Sequence, residues 1–150
     1  MKNILFVTKS QYGYHIDPYK YGFYLKNDFK ITHISWDYGL PEIKVDGIKT
    51  IYISRKGNKL NRLKRFIKEI NQEIKTEKYD LIFMVYFFGC SLLLLNNPKV
   101  AFNIDIRTAT DTNNVLTNFW KDELLKWECA KFKNLTILSH GLAKKLGFKK

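Results

Sequence analysis

The chain alternates short apolar runs with longer segments in which apolar residues recur every three or four positions. Uniformly apolar runs are typical of strands that are buried on both faces. We predict six strands, at residues 3–8, 29–36, 48–53, 79–86, 100–106 and 135–138, of which 79–86 and 100–106 are uniform enough to be buried on both faces. Because helical segments lie between most of them, the pattern predicts a Rossmann-like α/β domain, a three-layer sandwich with a mostly parallel sheet.

Helical periodicity is clearest between residues 59 and 78, where six apolar residues fall on one face of a helix about 30 Å long. They are Leu60, Leu63, Phe66, Ile67, Ile70 and Ile74. An earlier helix is predicted with Asp17 as its N-cap and Pro18 at its first position. Asp46-Gly47 lies between two alternating apolar runs, which indicates a tight hairpin. Further helical segments are predicted at residues 91–95, 114–132 and 141–146.

Length and composition favour one folded domain. A chain of 150 residues with 45% hydrophobic and 15% aromatic residues can bury an adequate core. Cys90 and Cys129 show neither a CxxC motif nor a Cys/His ligand spacing, so neither a disulfide framework nor a metal site is expected. The first ten residues indicate a strand rather than a signal peptide, and we expect a cytoplasmic protein.

Half of the net charge of +12 is local, because residues 55–78 contain nine Lys or Arg against three Glu. Such a basic helix is either a solvated surface or a contact with nucleic acid, a phosphorylated ligand or an anionic membrane. We predict that it holds the protein against anionic lipid through Arg55, Lys56, Lys59, Arg62, Lys64, Arg65 and Lys68. Nucleic acid is not expected, because aromatic stacking motifs and a GXXG loop are missing from the sequence.

Two loops that follow strands carry the polar residues of a candidate site, since ligands of open α/β sheets bind beyond the carboxyl ends of the strands. The first loop offers Ser10, Gln11, Tyr12, Gly13 and His15 before a helix N-terminus. It has no GxGxxG or GxxxxGK[ST] motif, so it does not predict nucleotide binding. Alternatively, its tyrosines cover the sheet edge and His15 is solvated.

The second loop is the most polar strand exit, with Asp105, Arg107, Thr108, Asp111 and Asn113 within nine residues. Carboxylates beside an arginine could orient sugar hydroxyls or stabilise a cationic transition state. The alternative is an Asp-Arg pair that closes the sheet, with Asp111 or Asn113 capping the next helix.

The neighbouring Ser139 and His140 could be read as a nucleophile and its base. We interpret Ser139 as a helix N-cap instead, because the sequence identifies no acid partner and adjacent residues rarely face each other productively.

The segment "WECAKFKNLTILSHGLAKKLGF", with Glu128 and Ser139, resembles the end of the N-terminal domain of GT-B glycosyltransferases, especially the retaining enzymes of family 4. "NIDIRTATD" and "KNILFVTKSQYGYHIDPY" resemble the cleft-facing loop and the first strand of such enzymes. Three positions depart from the family pattern. Gly13 stands where many relatives have paired glycines, and Thr108 and Asn134 stand where aspartates are common.

The resemblance implies the acceptor-binding half of an enzyme of surface polysaccharide biosynthesis, at the cytoplasmic face of the membrane. Its acceptor would be a carbohydrate or a polyprenyl-linked glycan. The nucleotide-sugar donor would bind a C-terminal domain outside these 150 residues, with no cofactor or metal on this domain. Asp105 would be catalytic, and the two loops would bind the acceptor through Ser10, Gln11, Tyr12, Gly13, His15, Arg107, Thr108 and Asp111. The alternative is a non-enzymatic basic α/β binding module.

Overall fold

The computed structural model describes residues 1–110 and 113–148. Within them, six parallel strands form one sheet in the order β3-β2-β1-β4-β5-β6. The strands are β1 (Lys2–Thr8), β2 (Phe29–Asp37), β3 (Ile48–Ser54), β4 (Leu81–Val85), β5 (Phe102–Ile106) and β6 (Asn134–Ile137). The helices are α1 (Ile16–Leu25), α2 (Lys59–Thr76), α3 (Leu92–Asn96), α4 (Val115–Cys129) and α5 (His140–Leu146).

Each face of the sheet has its own core, because side chains alternate along every strand. On β1, Leu5 and Val7 belong to the larger core, which contains buried residues of α2, α3, α4 and α5. Ile4 and Phe6 belong to the smaller core, which is covered by α1 and by the connection between β2 and β3. The predicted Rossmann-like α/β fold is confirmed, and the sheet of the described residues is entirely parallel.

Helix α2 has the predicted amphipathic character. Its buried residues are Phe66 and Ile70, and Asn58 caps its N-terminus by accepting a hydrogen bond from the Asn61 backbone at 2.9 Å. Leu60 differs from the prediction, because it is 59% exposed rather than part of the packed face.

The predicted hairpin at Asp46-Gly47 is wrong. Strands β2 and β3 pair in parallel, from Ile31 opposite Ile48 onward, so the chain must cross back before β3 starts. Ile43 and Val45 pack against the smaller core without forming a strand. Apolar residues alternate with polar ones here because one side of this connection packs against the smaller core. The connection covers the sheet in the place that a helix takes in other crossovers.

The predicted N-cap of α1 is also wrong, whereas that of α5 is confirmed. Helix α1 begins at Ile16 with His15 as its N-cap, so Asp17 lies in the first turn. The Asp17 carboxylate is instead engaged by Arg107. In α5, the Ser139 hydroxyl accepts from the Leu142 backbone at 3.2 Å, as an N-cap does.

Candidate functional site at the carboxyl ends of the strands

A cleft of about 220 Å³ opens between the ends of β1, β4 and β5. The strand order reverses between β1 and β4, which is where open α/β sheets bind ligands. Both predicted loops reach this cleft, as the topology of a parallel sheet requires. The predicted site residues among its lining are Ser10, His15, Asp105, Arg107 and Thr108.

Arg107 organises the polar side of the cleft. Its Nε donates to Asp105 Oδ2, and its Nη1 donates to Asp17 Oδ2. The Nη2 group lies 3.4 Å from the hydroxyl of Tyr21, whose ring centroid is 5.6 Å from the guanidinium carbon. The guanidinium thus joins β5 to α1, and its fixed fork holds two carboxylates in defined orientations.

Asp105 is buried beneath this network. Its backbone carbonyl accepts from the Tyr86 backbone at 3.0 Å, which fixes the end of β5 against the end of β4. Burial raises the pKa of the Asp105 carboxyl above its ordinary value, and the adjacent Arg107 opposes that shift. The carboxylate is therefore held in place by a strong partner while its ionised form is less stable than it would be in water.

The β1 side contributes His15 and Ser10. The imidazole Nδ1 of His15 is buried and has no hydrogen-bond partner among the described residues. The Ser10 backbone carbonyl accepts from the Thr8 hydroxyl at 3.0 Å, which holds the loop at the end of β1. Side chains able to donate and to accept hydrogen bonds therefore face one small cleft.

Gln11 and Tyr12 do not line the cleft. The Gln11 amide donates to the Leu40 carbonyl at 2.7 Å and accepts from the Tyr38 backbone at 2.7 Å, which ties the first loop to the β2–β3 connection. Tyr12 is 1% exposed, and burial raises the pKa of its phenol to about 12. Both side chains support the loop. Their predicted contact with an acceptor substrate stays a prediction.

Gly13 has a structural reason to be glycine. Its φ of +88° lies in the left-handed region, and a Cβ built there would lie 2.3 Å from Ile43 Cδ1. The single glycine therefore permits close packing between the first loop and the β2–β3 connection. Asp111, the remaining predicted acceptor residue, lies outside the described residues.

Lys9 and Tyr86 also line the cleft, and Asp17 and Tyr21 are partners of Arg107, although the sequence pattern predicted none of the four in these roles. The topological rule that selected the other loops could have found Tyr86, because it directly follows β4. Asp17 and Tyr21 could not be found in this way, since only the packing of α1 on the sheet brings them to Arg107.

The loop after β4 is held by Glu128, a buried residue of α4. Its buried carboxylate accepts from the Tyr86 hydroxyl at 2.9 Å, the Gly89 backbone at 3.0 Å and the Ser91 hydroxyl at 3.0 Å. Burial, followed by the charge of Glu128, raises the pKa of the Tyr86 phenol and of the neighbouring Cys90 thiol. One carboxylate from α4 thus fixes a wall of the cleft.

The seven predicted membrane-facing cations do not share one environment. Arg65 donates from Nη1 to the carbonyls of Ser54 and Lys56 at 2.8 and 3.0 Å, which fixes the turn before α2. Lys64 and Lys68 are exposed on α2, and Lys56 is exposed in the preceding turn. Arg55, Lys59 and Arg62 line a second pocket beside the cleft.

No group of three or more His, Cys, Asp or Glu side chains among residues 1–110 and 113–148 could hold a metal ion. No described helix combines the length and the apolar character that crossing a membrane requires.

Comparison with protein-family models found no match to this chain, and comparison with curated proteins likewise found no relative.

Proposed function

We propose that this chain is the acceptor-side domain of a glycosyltransferase and that the cleft binds a hydroxyl group of the acceptor sugar. The proposal rests above all on the Asp105–Arg107–Asp17 network at the reversal of strand order. A carboxylate that accepts hydrogen bonds and a guanidinium that donates them suit the paired donor and acceptor character of sugar hydroxyls.

The size of the cleft supports a small polar group. About 220 Å³ is below the roughly 300–1,000 Å³ of pockets for drug-sized molecules, so the cleft would take one sugar unit at most. Asp105 accepts from the reacting hydroxyl, while Arg107 keeps the carboxylate in position. His15 and Ser10 contact the rest of the ring from the opposite side.

Sugar binding can be measured by saturation-transfer difference NMR with a panel of methyl glycosides. Asp105→Asn is expected to abolish the saturation transfer, because it removes the negative charge and replaces one of the two acceptor oxygens with an NH2 group that can only donate. Asp28→Asn is the matched control, since Asp28 is exposed in the turn that follows α1 and does not line the cleft. Absence of signal for every glycoside with the unaltered protein, or equal signals in both variants, would remove the proposal.

Transfer itself requires a donor in near-attack geometry, and this positional advantage can amount to about 7 to 11 kcal/mol of the barrier. The 150 residues contain no glycine-rich phosphate loop, so we expect weak or absent binding of nucleotide sugars and no turnover by this chain alone. Calorimetry with nucleotide sugars and a product assay test this expectation. Micromolar donor binding or measurable transfer would contradict the acceptor-side assignment.

A second proposal concerns the exposed basic surface formed by Lys56, Lys64 and Lys68, which would hold the protein peripherally against an anionic membrane at its cytoplasmic face. The exposure of these side chains favours it, since each cation near an anionic leaflet contributes about 1 kcal/mol. Arg55, Lys59, Arg62 and Arg65 would add to the positive field from the adjoining turn and helix.

Sedimentation with vesicles of increasing phosphatidylserine content tests this membrane contact. The triple variant Lys56→Glu, Lys64→Glu and Lys68→Glu should lose binding, while the unaltered protein binds in proportion to anionic lipid. Binding that ignores lipid charge, or that survives the triple reversal, would refute it. Titration of a labelled oligonucleotide at several salt concentrations tests the alternative of a nucleic-acid-binding module.

A further inference from the structure

A second pocket, which we call the basic pocket, lies beside the cleft at the carboxyl ends of β1, β2 and β3. Its volume is about 270 Å³, and Lys9 lines both it and the cleft. The other walls come from the end of β2, the residue after β3, the first turns of α2 and the loop after β4.

The lining of the basic pocket carries four cations and no acidic residue. The cations are Lys9, Arg55, Lys59 and Arg62. None of the four forms an ion pair within residues 1–110 and 113–148. Positive groups that converge in a concave site with low-dielectric walls focus the field and attract an anion.

Two of these cations, Arg55 and Arg62, lie in the pocket without an anionic partner among the described residues. The Arg62 Nε group is buried and has no hydrogen-bond partner in the part of the chain that the structure describes. The Arg55 guanidinium carbon lies 3.9 Å from the centroid of the Tyr38 ring. Arg65 fixes the carbonyls on both sides of Arg55, those of Ser54 and Lys56. A buried N–H group without an acceptor is costly, and a bound anion would satisfy it.

Lys9 lies between the cleft and the basic pocket and is exposed to solvent. Desolvation by the surrounding protein lowers the pKa of its ammonium group from the ordinary value. An anion in the pocket would oppose that shift, because a nearby opposite charge favours the charged form of the lysine. The first turn of α2 adds positive potential, since it contains no acidic residue and its N-terminus faces the same end of the sheet.

Apart from Leu63, the remaining lining residues are aromatic. Trp36 stacks on Phe66 with ring centroids 4.3 Å apart, and the rings of Phe66 and Phe87 pack in a T-shaped arrangement with centroids 5.1 Å apart. Phe88, at the rim, is 60% exposed. A flat apolar group that enters this pocket would therefore find an aromatic surface beside the cations.

We propose that the basic pocket binds a phosphate or diphosphate group carried on an aromatic or other apolar group. The inference goes beyond the proposed function, because it requires neither a sugar nor a transfer reaction. The volume limits the ligand to about one phosphorylated ring or one phosphate headgroup, which is smaller than a whole nucleotide sugar, so the expectation of weak nucleotide-sugar binding is unchanged. The charged group lies among Arg55, Lys59 and Arg62, and the apolar group contacts Trp36 and Phe88.

Isothermal titration calorimetry with phenyl phosphate, inorganic phosphate and phenol tests the two halves of the ligand. Phenyl phosphate should bind about tenfold more tightly than inorganic phosphate, and phenol should not bind measurably. The variant Lys59→Ala/Arg62→Ala should weaken phenyl phosphate binding at least about tenfold, since it removes two charge-assisted contacts. Phe88→Ala, at an exposed position, should weaken phenyl phosphate but leave inorganic phosphate unchanged.

The matched control is Lys75→Ala/Lys78→Ala, which removes the same charge at the far end of α2, where both side chains are exposed. It should change the affinity by less than about twofold, because a Debye length of ~10 Å screens charges at that distance. Far-UV circular dichroism and the melting temperature of each variant show whether it is folded. Arg62→Lys, which keeps the charge, should lose less affinity than the double alanine variant.

Vesicles of phosphatidic acid in phosphatidylcholine distinguish a lipid headgroup from a soluble ester. If the protein binds these vesicles and phenyl phosphate displaces it from them, the ligand is a lipid headgroup. If the protein binds phenyl phosphate but not the vesicles, the ligand is a soluble ester. The proposal is overturned if neither probe binds at millimolar concentration. It is also overturned if both double variants lose affinity equally, since the effect would then be that of net charge.

Discussion

The carboxylate of Glu128 provides the sharpest test of how the site is held together. The residue is 2% exposed, and its oxygens accept from the Tyr86 hydroxyl, the Gly89 backbone and the Ser91 hydroxyl and backbone. These donors belong to the loop that carries Phe87 and Phe88 into the basic pocket and Tyr86 into the cleft.

Replacing Glu128 by Ala leaves several buried donors without an acceptor. Each hydrogen bond to a charged group contributes about 1.5 to 3 kcal/mol, and the contributions are not additive. We therefore expect Glu128→Ala to lower the free energy of unfolding by about 3 to 5 kcal/mol, which is a large share of the ~5 to 15 kcal/mol typical of a domain. Glu128→Gln should lose only about 1 to 2 kcal/mol, because the amide oxygen still accepts from Gly89 and the Tyr86 hydroxyl can turn to accept from the amide nitrogen.

Urea unfolding followed by far-UV circular dichroism measures these differences. Glu123→Ala is the control, since Glu123 lies on the same helix in a surface ion pair with Lys126 that should contribute at most about 1 kcal/mol. Tyr86→Phe, alone and combined with Glu128→Gln, isolates the contribution of the hydroxyl contact. A loss below 1 kcal/mol for Glu128→Ala, equal to that of the control, would refute this account of the loop.

Buried titratable groups and one constrained glycine allow further tests. Burial lowers the pKa of His33 to about 3, so the unfolded chain binds a proton that the folded one excludes, and stability should fall as the pH drops from about 6.5 towards 3. Between pH 7 and pH 4.5, the free energy of unfolding measured in urea should fall by about 2 to 3 kcal/mol less in His33→Leu than in the unaltered protein. Equal decreases in both proteins would contradict this. Gly13→Ala should lower the free energy of unfolding measured in urea by about 2 to 4 kcal/mol, which is more than Gly39→Ala should. Both glycines have positive φ, but only a Cβ at residue 13 would clash with a neighbour. Equal decreases in the two variants would contradict this. Burial raises the pKa of the Cys90 thiol, and that of Cys129 to about 12, so Ellman's reagent should label neither until the chain unfolds; rapid labelling of the folded protein would contradict it.

The candidate site was only partly predictable, for a reason visible at Arg107. Residues next to the ends of strands, such as Ser10 and Asp105, could be selected because parallel strands place their carboxyl ends at one edge. The pairing of Arg107 with Asp17 joins residues 90 positions apart. Local spacing carries no information about such a pair, and the N-cap interpretation of Asp17 failed for the same reason.

Local pattern by itself determined the main elements. Apolar runs specified the strands, and apolar residues spaced three and four positions apart in α2 specified an amphipathic helix. The spacing of apolar residues within each segment determines which of its faces can be buried. Cap chemistry is equally local, as Ser139 shows. Tertiary structure decided everything that depends on how the segments pack. It made residues 42–47 a covering connection rather than a hairpin, buried Gln11 and Tyr12, and divided the basic residues of 55–68 between an exposed surface and a pocket. Charge and polarity along a chain specify what a side chain can bind, but the side chains beside it in space determine whether it is free to do so.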